Sequence, residues 1–332
     1  MPITIRHPDN FNTPVQQPVT QSAIRVHPAF ITALAIGLFW VLFHPHPSSA
    51  GQGRPWHEVR NWGYQLQGLR LDELRASPFD LLVIDYSRDG SESRRFTKEE
   101  ISTIKRGGGK GRLVLSYLSI GEAENYRYYW KESWLRKRPS WLGGENPDWE
   151  GNYKVRYWDP RWRRIVFDFL DKILEAGFDG VYLDIIDAYE YFEERGRSSA
   201  AEEMKQLIRE IAHYARVVRG DKDFGIFPQN GHELLDDPEY LSVITGVGRE
   251  ETYFGYEKDD RRTPAEVTAQ IESFLQVAQR AGKLVLNVDY TTNPRLVAQS
   301  YDLASRQGYA QYCATRELDR LTQQPWFQAP AR

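Results

Sequence analysis

The feature that most constrains the fold is a regular alternation, from Trp56 onward, of short apolar runs with longer amphipathic stretches. This alternation is typical of βα repeats around a parallel sheet whose strands are covered on both faces. The predicted strands are Asn61–Gln67, Leu81–Asp85, Leu113–Ser119, Gly180–Asp184, Phe224–Gln229, Ser242–Glu250, Leu284–Asp289 and Gly308–Cys313. Eight parallel strands can close into a barrel, so we predict an α/β fold of the (β/α)₈ TIM-barrel class. A doubly wound open sheet is the alternative.

The amphipathic stretches between these strands predict helices, and their ends carry the expected punctuation. The predicted helices are Lys98–Arg106, Pro160–Ala176, Ala200–Val218, Pro264–Ala281 and Pro294–Gln307. Three begin at a proline, which suits the first helical turn, and the preceding Asp159, Thr263 and Asn293 are predicted N-caps. Glycines such as Gly177 and Gly308 follow the helix ends, where a left-handed residue commonly terminates a helix.

Residues 1–50 are predicted to be a leader rather than part of the fold. Ala29–Phe43 is an uncharged apolar run of fifteen residues, preceded by Arg25 and followed by Ser48-Ser49-Ala50. This pattern is typical of a signal peptide cleaved after Ala50, and the run is short for a membrane span, which needs about 20 residues. An uncleaved signal anchor is the alternative, and it would be the chain's one contact with a membrane. We therefore predict a secreted, periplasmic or cell-surface protein with a single barrel domain over residues 51–325.

Composition narrows the class of partner. The net charge is −3 and the pI is about 6.2, so we expect no basic face and no nucleic-acid partner. Aromatic residues make up 13% of the chain, with 10 Trp and 19 Tyr, and flat rings suit sugar binding as well as packing. The single cysteine, Cys313, excludes an intramolecular disulfide and is predicted to be a small buried hydrophobe. We expect a monomer that acts on a polysaccharide.

One connection is unusually long for a compact barrel. About forty residues separate the third predicted strand from the helix at Pro160, and long insertions of this kind are usually functional. The connection carries Trp130, Trp134, Trp141, Trp149 and Trp158.

Side chains that are acidic or amides, with one tyrosine, lie at the ends of the second to seventh predicted strands. These positions are Asp85, Glu122, Glu124, Asp184, Asp187, Gln229, Asn230, Glu250, Glu251, Asp289 and Tyr290. In barrel enzymes the chemistry sits at the carboxyl ends of the strands, so we expect these groups to converge on one rim.

Histidine is missing from this rim. Beyond the leader the chain has only His57, His213 and His232, and none of them ends a predicted strand. A multi-histidine metal site and a Ser-His-Asp triad are therefore disfavoured, and we predict no metal and no cofactor. The Gly107–Gly111 run follows a helix and precedes a strand, so it is predicted to be a turn rather than a phosphate loop. An acidic rim without histidine leaves glycoside hydrolysis by two carboxyl groups, or binding of a divalent cation by oxygen ligands.

Asp184 and Glu250 are the predicted catalytic pair. Asp184 ends the apolar run Gly180–Leu183, with a helix N-cap as the alternative role. Because side chains alternate along a strand, only one of Glu250 and Glu251 can face the barrel mouth, and Glu250 is preferred. The predicted substrate contacts are Trp62, Asp85, Glu122, Asp187, Asn230, Glu251, Tyr253, Asp289 and Tyr290.

Several motifs together resemble one family over residues 56–320. They are Trp62–Gln67, Ser116–Glu124, Tyr157–Pro160, Gly177–Asp184 and Gly248–Glu251. This combination is similar to the bacterial and archaeal extracellular glycosidases related to endo-α-1,4-polygalactosaminidases, glycoside hydrolase family 114. The resemblance implies a TIM-barrel endoglycosidase that acts on galactosamine-containing polymers. It also implies an aspartate nucleophile after the fourth strand and a glutamate acid/base after the sixth, which match Asp184 and Glu250.

Two other functions remain open from the sequence. One is a non-catalytic polysaccharide-binding barrel at the cell surface, which would keep the groove without turnover. The other is a cation-dependent enzyme that uses the same acidic rim.

Overall fold

The computed structural model describes residues 54–107, 111–322 and 324–325. The predicted leader, residues 1–50, lies outside the described residues, as does most of the predicted turn at Gly107–Gly111. Within these ranges no helix is both long enough and apolar enough to cross a membrane.

Eight parallel strands of the described chain form the barrel. They are β1 (Trp62–Gln65), β2 (Leu81–Ile84), β3 (Leu113–Ser119), β7 (Gly180–Asp184), β8 (Gly225–Pro228), β9 (Gly246–Glu250), β10 (Leu284–Tyr290) and β11 (Ala310–Ala314). Two sheets, β1-β2-β3-β7-β8 and β9-β10-β11, pair in parallel register throughout. A parallel bridge between Gln229 and Gly248 joins β8 to β9, and the Trp62 indole donates to the Ala310 carbonyl across β1 and β11 at 2.9 Å. The predicted TIM-barrel class is confirmed.

Helices cover the outside of the sheet. They are α1 (Leu71–Ala76), α2 (Lys98–Lys105), α3 (Pro160–Ala176), α4 (Ala188–Glu193), α5 (Ala200–His213), α6 (Pro238–Val243), α7 (Ala265–Arg280) and α8 (Pro294–Gln307). The predicted caps at Asp159 and Asn293 are confirmed, because each side chain accepts a hydrogen bond from the first helical turn.

The long connection after β3 folds into a small antiparallel sheet. Its strands are β4 (Glu122–Glu124), β5 (Leu142–Asn146) and β6 (Trp149–Val155), in the order β4-β6-β5. Trp141 packs on Trp134 and on the buried Trp162 of α3, with ring centroids 5.0 and 5.3 Å apart. Most of the tryptophans of this connection therefore anchor the insertion to the barrel, whereas Trp149 is 52% exposed.

Three local predictions were wrong. The predicted strand Ser242–Glu250 begins only at Gly246, because Asp237 caps the short helix α6 before it. The predicted helix Ala200–Val218 ends as a helix at His213 and continues as a π-helical turn, Tyr214–Val218. Thr263 does not cap α7, because its hydroxyl donates to the Glu251 carbonyl at 2.7 Å instead.

Aromatic side chains fill the lower part of the barrel. Trp62 lies 5.7–5.9 Å, centroid to centroid, from Tyr64, Tyr182 and Tyr312, and all four rings are buried. Gly248 leaves room for this layer, because a Cβ atom there would lie 2.1 Å from the Tyr182 hydroxyl. The floor beneath the barrel mouth is therefore densely packed with buried rings. Cys313 is buried as predicted.

Candidate active site

A cavity of about 760 Å³ opens at the carboxyl ends of the barrel strands. Eight carboxylate side chains and two guanidinium groups line it. The acidic residues are Asp85, Asp89, Glu124, Glu150, Asp184, Asp187, Glu250 and Glu317, and the basic residues are Arg88 and Arg316. The cavity therefore carries a negative potential, which attracts cationic ligands.

Asp184, the last residue of β7, is held by two hydrogen bonds. The Tyr117 hydroxyl donates to one carboxylate oxygen at 2.6 Å, and the Gln229 amide donates to the other at 2.9 Å. Burial, together with the charge of Glu250, raises the pKa of Asp184 to about 8. Burial and the charge of Asp184 also raise the pKa of Tyr117, so this hydroxyl stays protonated as a donor.

Glu250, the last residue of β9, is held in the same manner. The Asn230 amide donates to one carboxylate oxygen at 2.9 Å, and the Tyr290 hydroxyl donates to the other. Arg249 donates to the Asn230 carbonyl oxygen at 3.0 Å, which fixes the orientation of that amide. Each carboxylate of the pair thus has both oxygens engaged by neutral donors rather than by a cation.

A third acid adds to the charge of this pair. Asp187 follows β7 and lines the same cavity, and burial plus the charge of Glu250 raise its pKa to about 6. Like charges that share a site disfavour full ionisation, so the group of three carboxyls retains a proton near neutral pH.

The backbone bends sharply after the three strands that carry these groups. Ile185, Asn230 and Glu251 adopt φ angles of 57°, 62° and 59°, a left-handed region that is sterically costly for side chains other than glycine. For the β-branched Ile185 the strain is greatest, and Gly121 lies close against its carbonyl. Strained residues of this kind cluster at functional sites, where the surrounding packing enforces them.

A buried ion cluster forms the wall beneath β2. Arg127 donates to Asp85 at 2.6 and 2.8 Å and to Glu124 at 2.6 and 3.2 Å, and its side chain is fully buried. Burial raises the pKa of Asp85, although Arg127 lies beside it. Because its oxygens bind Arg127 and the Ser87 amide, Asp85 supports the wall more than it offers free acceptors.

The antiparallel insertion supplies the rim beside this wall. Trp149, Glu150 and Asn152 of β6 line the cavity together with Tyr126, and Trp149 and Tyr126 are the most exposed of the aromatic side chains there. An exposed tryptophan at a cavity edge offers a flat face to a ligand.

The structure brings six of the predicted site residues to the cavity. They are Asp85, Asp184, Asp187, Asn230, Glu250 and Tyr290.

The remaining five predicted contacts lie outside the cavity lining. Their side chains pack or pair within the protein and do not face the cavity, which corrects the prediction. Trp62 begins β1, so its ring lies in the buried layer. Glu122 is buried against Asn146 and Lys154.

Two more of the five lie near the seventh barrel strand. Tyr253 is buried, and its hydroxyl donates to Glu272 at 3.0 Å. Asp289 is fully buried and accepts hydrogen bonds from Ser300 and from the Tyr253 amide.

Glu251 is the fifth residue to be corrected. Its backbone has a left-handed conformation, so Glu251 does not continue the extended strand β9. Its carboxylate pairs with Arg316 at 2.5 Å. The preference for Glu250 over Glu251 as the residue facing the cavity therefore agrees with the geometry.

Among the cavity residues outside the predicted set of contacts are Tyr117, Gln229, Trp149 and Arg316. Gln229 belongs to the predicted rim, and Trp149 to the tryptophan-rich connection. Tyr117 lies within β3 and belongs to the motif Ser116–Glu124, although it was not predicted as a contact. Arg316 follows the last strand and carried no sequence signal. Within the described residues, no group of three or more His, Cys, Asp or Glu side chains is arranged to hold a metal ion.

Comparison with known proteins identifies relatives of this chain. The sequence profile of glycoside-hydrolase family GH114 matches residues 45–329. An uncharacterized protein of Methanocaldococcus jannaschii is 42% identical over 274 residues, which cover 78% of this chain and 77% of that protein. An uncharacterized protein of Thermotoga maritima is 40% identical over 271 residues, which cover 78% of this chain and 81% of that protein.

Two solved structures share the fold at low sequence identity. The glycoside hydrolase domain of PelA from Pseudomonas aeruginosa has a TM-score of 0.62 at 18% identity and covers 79% of this chain and 97% of that domain. Ega3 of Aspergillus fumigatus, solved in complex with galactosamine, has a TM-score of 0.60 at 18% identity and covers 82% of this chain and 98% of that structure. Fold, cavity and sequence profile agree, and this chain belongs to glycoside-hydrolase family GH114.

Proposed function

We propose that this chain hydrolyses a galactosamine-containing polysaccharide with Asp184 and Glu250 as its two reacting carboxyl groups. The observation that carries the proposal is their placement at the ends of β7 and β9 in one cavity, close enough for the charge of Glu250 to raise the pKa of Asp184. Glycosidases of the common kind need one carboxyl that protonates the leaving oxygen and a second that acts as nucleophile or base.

The electrostatics set the protonation state of one member of the pair. Because the pKa of Asp184 is raised to about 8, this carboxyl keeps its proton at neutral pH in the free protein. In the proposed role split Asp184 is the nucleophile and Glu250 the acid/base, so Asp184 has to ionise when the substrate binds. A bound ammonium group beside Asp184 would favour that ionised form.

The charge of the cavity supports an amino sugar as substrate. The lining has eight acidic groups against two guanidinium groups, and the acidic groups remain in excess when Arg127, which pairs with Asp85 and Glu124, is counted as a third cation. This excess favours a cationic, partly deacetylated polymer over a neutral or anionic one. Ega3, which shares the fold, binds galactosamine in its solved complex. Trp149 and Tyr126 would stack on sugar units at the edge of the cavity.

The decisive experiment offers the protein a set of polymers and measures the release of reducing ends. We expect cleavage of deacetylated galactosaminogalactan, at least tenfold slower cleavage of its fully N-acetylated form, and slower cleavage of chitosan.

Asp184→Asn and Glu250→Gln should abolish the release of reducing ends while they retain polymer binding. Asp236→Asn, which replaces an exposed carboxylate, should behave as wild type. Binding without cleavage by the wild-type protein would instead indicate a non-catalytic polysaccharide-binding barrel. Loss of activity with a chelator would indicate a cation-dependent reaction.

Export is part of the same proposal. The run Ala29–Phe43 with Ser48-Ser49-Ala50 supports a cleaved leader, and a polysaccharide substrate lies outside the cytoplasm in that case. N-terminal sequencing of the protein recovered from the periplasm or medium should start at Gly51. A protein that keeps Met1 and stays in the cytoplasm would contradict export.

A further inference from the structure

A second cleft of about 490 Å³ lies beside the antiparallel insertion, and its charge is opposite to that of the catalytic cavity. It is formed by β6, the segment that follows β6, and the chain at and after α4. Within the described residues its lining contains no carboxylate, and its four cationic members are Lys154, Arg156, Arg195 and Arg197.

Aromatic rings of the same cleft hold these cations in place. The guanidinium carbon of Arg195 lies 3.6 Å from the centroid of the Tyr191 ring, and that of Arg197 lies 3.7 Å from the Trp158 ring. The Lys154 ammonium lies 4.6 Å from the Tyr191 ring. A guanidinium that is stacked on a ring loses less rotamer entropy when it binds an anion, so the cleft is pre-organised.

The charges of the cleft are only partly balanced. Three of its cations pair with carboxylates that stand outside the lining: Lys154 with Glu122 at 3.4 Å, Arg195 with Glu194 at 3.5 Å and Arg197 with Glu203 at 2.6 Å. Arg156 makes no ion pair within 4.0 Å to any residue that the structure describes. Arg197 binds Glu203 through Nε and one terminal nitrogen, which leaves its other terminal nitrogen uncommitted. Donors and a net positive charge therefore remain for a ligand.

Strand β6 connects this cleft to the catalytic cavity. Glu150 and Asn152 line the cavity, and Lys154 lines the cleft. These residues are two apart in sequence, so they lie on one face of the strand. Buried residues alternate with them at Gly151, Tyr153 and Val155, which makes this face the accessible one. A chain of sugars could lie along it from one site to the other.

We propose that this basic, aromatic cleft binds an acidic sugar unit, one that carries a carboxylate or a phosphate. Arginine forks match both anions bidentately, and the half-buried Phe192 ring of the lining, on which none of the four cations stacks, gives the sugar ring an apolar surface. The site is separate from the carboxylate pair, so its occupation does not require turnover. The two sites together would select a polymer that carries cationic and anionic sugars.

Titration calorimetry at low salt measures whether the full-length chain binds an acidic sugar, with defined probes. Trigalacturonate supplies the carboxylate source, galactose 6-phosphate supplies the phosphate source, and methyl-esterified trigalacturonate is the neutral control. We expect at least one acidic sugar to bind, and the methyl ester to bind at least tenfold more weakly than trigalacturonate. Arg156→Gln and Arg195→Gln should each weaken the binding at least fivefold.

Arg306→Gln is the matched control, because Arg306 is an exposed arginine of α8 that is paired with Asp302 away from both sites. It should bind the acidic sugars as the wild type does. The proposal is overturned if both cleft variants bind like wild type, if no acidic sugar binds, or if the ester binds equally. It is also overturned if inorganic phosphate binds as tightly as the sugars, because the cleft would then recognise the anion alone. None of these readouts uses cleavage, so they are independent of the proposed hydrolysis.

Discussion

Replacing Asp184 by asparagine should remove a loss of stability that the wild-type protein undergoes as the pH rises. An aspartate in the unfolded chain ionises near its ordinary pKa of 3.8, whereas burial and the charge of Glu250 raise the pKa of folded Asp184 to about 8. Between these values the folded state binds more protons than the unfolded state. The free energy of unfolding of the wild type therefore falls as pH increases through this window.

The magnitude is bounded by the linkage relation. Each pH unit inside the window costs the wild type at most about 1.4 kcal/mol through this one group. Because Asp184 is only partly buried and faces an open cavity, we expect about 2 kcal/mol in total between pH 5 and pH 8. Asparagine does not titrate, so the stability of the variant relative to wild type should rise by that amount.

The local hydrogen bonds permit this substitution. Asparagine keeps an acceptor for the Tyr117 hydroxyl. The Gln229 side-chain oxygen is buried and has no partner among the described residues, so a turned Gln229 amide could accept from the new Asn nitrogen. The variant should therefore fold without a new unpaired group.

Urea denaturation of wild type and variant at pH 5, 6, 7 and 8 measures the effect. Asp236→Asn, which removes an exposed carboxylate, serves as the control and should track the wild type at every pH. Wild-type and Asp184→Asn curves that run parallel from pH 5 to pH 8 would refute the raised pKa of Asp184 in the folded protein.

Three further variants probe the surroundings of the pair. Tyr290→Phe removes a donor to Glu250 and should lower kcat about tenfold or more with little change in KM, measured by steady-state kinetics; an unchanged kcat would deny the contact a role. Trp149→Ala should weaken binding of long oligomers about tenfold while it spares the shortest cleaved oligomer, and Leu135→Ala, an equally exposed side chain, should change neither. Arg127→Met leaves two buried carboxylates without their cation and should cost about 3–5 kcal/mol of unfolding free energy in urea titrations, whereas a cost below about 1 kcal/mol would contradict the buried ion cluster.

The positions of the two proposed reacting carboxyls could be predicted from the sequence because each ends a buried strand. A parallel barrel gathers all its strand ends on one side, so Asp184 and Glu250 could be placed together without coordinates. The prediction that Trp62 contacts the substrate was wrong because Trp62 begins its strand. A side chain at the start of this strand lies in the buried layer inside the barrel and not at its mouth.

The side chains that bind the carboxylates at the strand ends could not be predicted from the sequence. Tyr117 reaches Asp184 because the parallel register sets β3 beside β7, with Ser119 opposite Asp184, and that register depends on the whole sheet. Arg316 meets Glu251 across 65 residues of chain. The small sheet of the insertion was missed because its strands are short and irregular, with a register shift between β5 and β6.

A double-mutant cycle on the pair tests the account most directly. We would measure kcat on a soluble galactosamine oligomer for wild type, Asp184→Asn, Glu250→Gln and the double variant. If both carboxyls serve the same chemical steps, each single substitution should lower kcat at least about 10³-fold, and the double variant should be little slower than the worse single one. Losses that multiply in the double variant, or a single variant that turns over at the wild-type rate, would contradict the two-carboxylate mechanism.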